Sequence, residues 1–164
     1  MTLFSRPLHF LAKCLAPVLA PLLAAVACSI AFAQQIPQPK LPVIDLQTGM
    51  YLIKAEVAGE FSTRMVGMMG REKMAANEGM LFLFPTTEKQ CMWMKNTLLP
   101  LSVAFIDANG VILNIEEMQA LKEDSHCSVK PAPYALEMNQ GWFRQKGIKA
   151  GAKILGIEKA GPAR

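Results

Sequence analysis

A mainly β, α+β fold is predicted: a compact antiparallel β sandwich or barrel of about seven short strands with one or two short helices. Three observations carry it. Tyr51, Ile53, Ala55 and Val57 alternate with Lys54 and Glu56, the period-two pattern of a half-buried strand. Residues 80–84 form a continuously apolar run stopped by Pro85, which suits a strand buried on both faces. Asn109-Gly110 stands between apolar residues 101–106 and 111–116, and an Asn-Gly pair in that setting is the strongest short-range hairpin signal.

The first element is not part of the fold. Residues 1–13 carry Arg6 and Lys13 with no acid, and residues 14–33 are almost wholly apolar and close on Ala31-Phe32-Ala33. A basic start, an apolar stretch and a small-x-small end describe a secretory signal peptide, with cleavage expected after Ala33 and a periplasmic location. An uncleaved anchor is the alternative, because the run is just long enough to span a bilayer. Lipid attachment at Cys28 is disfavoured: Ala25-Val26-Ala27 lacks the expected leucine and the apolar run continues past the cysteine.

Removing 33 of 164 residues leaves 131, the length of one domain. Removing Arg6 and Lys13 leaves 15 basic residues against 13 acids, a net charge of +2. The basic residues are scattered, so neither nucleic acid nor an anionic membrane surface is expected as a partner. Oligomeric state is not encoded in these features.

Residues 34–49 contain Pro37, Pro39 and Pro42 and read as an extended leader into a β-rich domain over 50–159, followed by a tail, 160–164. After the strand at 51–57, helical signal is limited to residues 62–69. Ser62 can cap there, and Met65, Met68 and Met69 fall on one face before Gly70. The strand at 80–84 and the 101–116 hairpin follow. Residues 134–138 and 153–158 add two more strands, with a helical turn or two near 141–146. The chain has no internal repeat, glycine-rich phosphate loop or low-complexity segment.

Two cysteines remain after cleavage, Cys91 and Cys127. An even pair in an exported domain reads most simply as a disulfide; a catalytic thiol or a metal ligand are the other readings. His126 precedes Cys127, but neighbours on an extended chain point to opposite faces. With one histidine in the mature chain, a zinc site with several histidine ligands is excluded. Ser102 and Ser125 lie in no nucleophile-elbow context. The paired carboxylates Glu116-Glu117 and Glu123-Asp124 sit where solvated strand ends and loops are expected, so acid-base catalysis has no specific support.

Methionine occurs 11 times. Met92 and Met94, with Cys91 and His126, could offer soft ligands to Cu(I), although methionine more often fills irregular core gaps. What remains is polar and positioned. In Cys91-Met92-Trp93-Met94-Lys95-Asn96, apolar flanks hold Lys95 and Asn96 against the core. Glu137 is out of phase with Tyr134, Leu136 and Met138 and faces away from them. Arg71, Lys95 and Asn96 could donate to a small polar ligand beside a Trp93 wall, with Glu137 as a neighbour. Alternatively, Lys95 or Arg71 forms a partly buried ion pair with Glu137.

The motifs GMMGRE and EGMLFLF, then MWMKNTLLPLSVAFID, then PAPYALEMNQGW, resemble in order the signatures of the bacterial and archaeal family called domain of unknown function 192. The likeness spans residues 50–157. The family's recurrent positions match Arg64, Gly67, Met69, Arg71, Gly79, Met80 and Phe82, then Trp93 through Thr97 and Pro100. They continue with Asp107, Gly110, Leu136, Glu137 and Gly141. Met68 stands in place of the usual leucine, a volume-conserving swap, and Met92 in place of a common aromatic. Cys91 and Cys127 are not general in the family. The resemblance implies a compact, mainly β, often exported domain and no established reaction.

The function expected is that of an exported, non-catalytic module for a small polar ligand or an envelope partner, with no cofactor. A soft-metal protein is the first alternative and an envelope hydrolase the second.

Overall fold

The computed structural model describes residues 36–164, and the expected signal segment and its cleavage site lie outside the described residues. The chain runs through strands β1 (Val43–Thr48) and β2 (Tyr51–Ala58), helix α1 (Phe61–Val66), and strands β3 (Glu78–Leu83) and β4 (Cys91–Met92). It continues through β5 (Leu101–Ile106), β6 (Ile112–Met118), β7 (His126–Cys127) and β8 (Tyr134–Asn139), then helix α2 (Trp142–Gln145) and a 3₁₀ turn, Ile157–Ala160. Six strands form one sheet in the order β1-β2-β3-β8-β5-β6, and β4 pairs with β7 apart from it. The mainly β expectation holds, with two corrections. The sheet is mixed, because β2 and β3 pair in parallel, and it does not close into a barrel.

Two sequence expectations shift for physical reasons. Val43–Thr48 belongs to the fold rather than to a leader, since it pairs along its length with β2 and buries Leu46 and Thr48. Residues 153–158 make only isolated bridges, Val111 with Lys153 and Gln47 with Leu155, before turning into the 3₁₀ helix. These bridges lay one short segment along both outer strands, so neither edge is left bare where it runs.

The hairpin forms as expected. Asp107 accepts the N–H groups of Asn109 and Val111 through Oδ1, both at 2.8 Å, and Gly110 takes φ +80°. That left-handed conformation is one glycine adopts without a Cβ clash.

Each face of the sheet carries its own core. One is built from Leu46, Ile53, Leu81, Leu136 and Met138 with Trp142 and Phe143. The other is built from Met80, Phe82, Val103, Phe105 and Ala135 with Met68 and Met94. This is why β3, β5 and β8 are buried along nearly their whole length: alternate residues feed opposite cores.

Cys91 and Cys127 are directly paired across β4 and β7 and joined by a disulfide, with Cα atoms 4.0 Å apart. The bridge spans 36 residues of sequence and constrains the unfolded chain by about 3–4 kcal/mol in the chain-entropy model. It pins the connection before β5 to that before β8, both of which lie over the second core.

Candidate functional site

Glu137 sits on β8 between β3 and β5, opposite Met80 on one side and Val103 on the other. The row continues outward to Glu56 on β2 and Glu116 on β6, so these five side chains share one face of the sheet. Phase therefore turns Glu137 away from Leu136 and Met138, as expected, but toward the second core rather than solvent. It is 3% exposed, and its Oε2 has no hydrogen-bond partner among the described residues. Burial pushes its pKa from the ordinary 4.5 up to about 8, because a low-dielectric setting disfavours the charged form.

Gly79 allows β3 to approach at this point. A Cβ there would lie 2.5 Å from both the Glu137 carbonyl oxygen and the Met138 sulfur.

Above Glu137 lies the segment that leaves α1. Glu60 caps the helix in a reciprocal box with Thr63, so Ser62 is inside the first turn rather than the cap. The helix ends at Val66, and Gly67 (φ +50°) rests on the Phe82 ring. The helix thus stops before Met68 and Met69 can continue its face; Met68 instead enters the core beneath. Arg64 is anchored: Nη1 donates to the carbonyls of Gly59, Leu83 and Arg164.

Between this segment and the β4 region is a cavity of about 30 Å3, lined by Glu137, Phe82, Met92, Trp93, Thr97 and residues 64–69. That is room for one or two waters. It adjoins an open, largely apolar groove of about 320 Å3 lined by Phe61, Met65, Phe82, Phe84, Pro85, Met92 and Trp93, together with Arg64 and Cys91. Phe61, Met65 and Trp93 are 70%, 52% and 43% exposed, an unusual concentration of large apolar surface for one place.

The five expected ligand-site residues are only partly brought together. Trp93 and Glu137 line the same cavity. Lys95 projects outward, its Nζ 5.1 Å from the centre of the Trp93 ring. Asn96 is exposed and takes φ +53°, and its carbonyl accepts the Gly70 N–H at 2.9 Å. Asparagine is one of the few side chains that tolerate this left-handed turn. Arg71 lies elsewhere.

Neither Arg71 nor Lys95 pairs with Glu137. Arg71 grips Glu56 through two parallel bonds of 2.9 and 2.8 Å, and Lys40 and the Leu41 N–H join the same carboxylate at 3.1 and 2.9 Å. Burial alone would raise the Glu56 pKa; the Arg71 bonds, then Leu41 and Lys40, outweigh it and hold the carboxyl below its usual range. Strand order decides the choice of partner. β2 places Glu56 on the same row as Glu137, with Met80 between them.

The groove residues Phe61, Met65, Phe84 and Pro85 escape sequence reasoning. Their only signal is that Phe61 and Met65 are four apart on the outer face of a short helix.

The metal alternative loses its thiolate, since Cys91 is in the disulfide, and Met94 is buried in the core. Among the described residues no three His, Cys, Asp or Glu side chains gather as a metal site. Ser102 Oγ donates to Glu117 and accepts the Gly141 N–H, both at 2.8 Å. The serine and the carboxylate therefore hold the β8–α2 turn.

The family model DUF192, described as Uncharacterized ACR, matches residues 44–156. The chain belongs to the DUF192 family. A crystal structure of a protein from Sinorhizobium meliloti, named as a candidate transcription regulator, is similar with TM-score 0.70 and 32% identity, over 73% of this chain and 98% of that one. A Novosphingobium aromaticivorans protein of unknown function is similar with TM-score 0.70 and 26% identity, over 74% and 90% of the two chains. No curated protein matches significantly. The matched segment includes the residues that line the groove and the cavity and the Glu56–Arg71 pair.

Proposed function

We propose that this DUF192 member is a non-catalytic binding module, exported to an oxidising compartment, whose site is the apolar groove together with the Glu137 cavity. One observation carries the reading: an open apolar groove adjoins a buried carboxyl group that has no partner on Oε2. Small-molecule sites have this character, mostly apolar walls with a few placed polar atoms. The Cys91–Cys127 disulfide and the signal-like N-terminus support export. The scattered basic residues give no electrostatic ground for carrying over the Sinorhizobium protein's regulator label. Among the described residues no nucleophile–base pair lines the groove, so turnover is not proposed.

A thermal-shift screen of small amphiphiles against wild type, Met65→Lys and Lys95→Ala tests it. Met65 is half exposed on α1, so a lysine there charges the groove wall without disturbing the core. At least one compound class is expected to raise the wild-type melting temperature, with the shift lost in Met65→Lys and retained in Lys95→Ala. A screen in which no class separates wild type from Met65→Lys refutes the groove.

Soft-metal binding keeps one observation in its favour: Met65, Met68, Met69 and Met92 all line the Glu137 cavity, and thioethers suit Cu(I). On that reading the purified protein takes up one equivalent of Cu(I), and Met68→Leu with Met92→Leu abolishes uptake. Unchanged stoichiometry in the double variant excludes it.

A further inference from the structure

We propose that the ligand of this site is a small amphiphile with a primary ammonium head, which enters the cavity to pair with Glu137 while its apolar tail lies in the groove. The inference rests on the groove-and-cavity reading above and names the chemistry of its occupant.

Four observations converge on it. Glu137 is 3% exposed, with Oε2 unpartnered, and an unsatisfied buried acid is where an incoming donor gains most. The cavity of about 30 Å3 accepts a group the size of one or two waters. An ammonium group meets that limit; a quaternary trimethylammonium head or a planar guanidinium does not. Phe82 and Trp93 line the walls, and the Trp93 ring already holds the Lys95 ammonium at 5.1 Å, the contact aromatic faces make with cations. Arg64, the other charged residue lining the cavity, has its Nη1 committed to three backbone carbonyls, and Arg71 and Lys40 are held by Glu56. Among the described residues no cation occupies the place.

Binding is coupled to one proton. The incoming alkylammonium keeps its own proton, since its pKa is about 10, as for lysine. Glu137 enters the complex as the carboxylate and releases its proton to solvent. With the free carboxyl titrating at about 8, affinity for the ammonium rises about tenfold per pH unit below that value and levels off above it.

The test is a titration of the full chain with hexylamine, hexanol and hexyltrimethylammonium, three heads on one tail. Binding is followed by Trp93 fluorescence and by calorimetry in two buffers of different ionisation enthalpy. Hexylamine is expected to bind most tightly, releasing close to one proton at about pH 7. Glu137→Gln should weaken it by at least about tenfold. Trp142 is packed in the opposite core, so a Trp93→Phe control assigns the signal. Equal binding of hexylamine and hexanol, without proton release, would overturn the ammonium head while leaving the groove intact. Binding of hexyltrimethylammonium as tight as hexylamine would overturn it too. If none of the three binds, both the head group and the groove reading fail. Proton release is measured on wild type, so the outcome does not depend on Glu137→Gln folding.

Discussion

Arg71→Ala is expected to lower the stability of the domain by about 3–5 kcal/mol, because it strands Glu56 as an unpaired charge in a largely dry place. The Arg71 and Glu56 side chains are 10% and 8% exposed and meet through two short parallel bonds, the fork geometry lysine cannot reproduce. Lys40 also reaches Glu56, but its side chain is 64% exposed, and a solvated partner compensates little. Replacing both members, Arg71→Met with Glu56→Leu, should restore much of the loss, since neither charge is then left buried alone. Urea unfolding of the single and double variants measures the coupling. A single variant within about 1 kcal/mol of wild type would show that water already satisfies this pair. The pair also fixes a pH dependence. The Glu56 carboxyl is held below its ordinary value of 4.5, so its contribution is present above that pH and is lost as the pH falls through the lower folded value.

Glu137 works in the opposite direction and is the second large effect. Its folded pKa of about 8 exceeds the ordinary 4.5, so between these values the folded state holds a proton that the unfolded chain has released. Stability attributable to this group is then complete below about pH 4.5 and falls by about 1.4 kcal/mol per unit as the pH rises toward 8. Glu137→Gln keeps the shape and removes the charge. It is expected to flatten that slope and, at about pH 8.5, to exceed wild type by several kcal/mol, about 5 as an upper figure. Urea midpoints at about pH 5 and 8.5 for both proteins check it. Parallel slopes would mean that the carboxyl is solvated or paired in solution, and the cavity would then lose its polar end. A natural chain that retains such an acid gives up stability, and pairing with an incoming ammonium supplies a reason for keeping it.

Much of the architecture is legible from local pattern. Alternation at Tyr51–Ala58 and the Asp107-to-Gly110 turn name their strands because period and turn chemistry are properties of neighbouring residues. The continuously apolar run at 80–84 announces a strand buried on both faces for the same reason. The chain end is harder. Val43–Thr48 is a strand only because β2 offers it a partner, and residues 153–155 pair singly because each meets a different outer strand. The same division holds at the site. Trp93 and Glu137 stand out in sequence, one as an aromatic just ahead of the polar pair Lys95-Asn96 and the other as an acid in an apolar run. The partner of Glu137 could not be read that way. Arg71 and Lys95 were both sensible candidates, and pairing across strands distant in sequence gave Arg71 to Glu56 and left Lys95 on the outside of Trp93.

The amino-acid sequence by itself determined the mainly β class, the hairpin, the cysteine pair and the family, since each follows from residue spacing or from motifs in order. Only the tertiary structure decided that the sheet is mixed and open, that a groove runs beside α1, and that Glu137 is buried beside a cavity with no charged partner among the described residues. The reason is physical. Burial and charge pairing depend on which strands become neighbours, and the β2-β3-β8-β5 order is set by contacts between segments tens of residues apart.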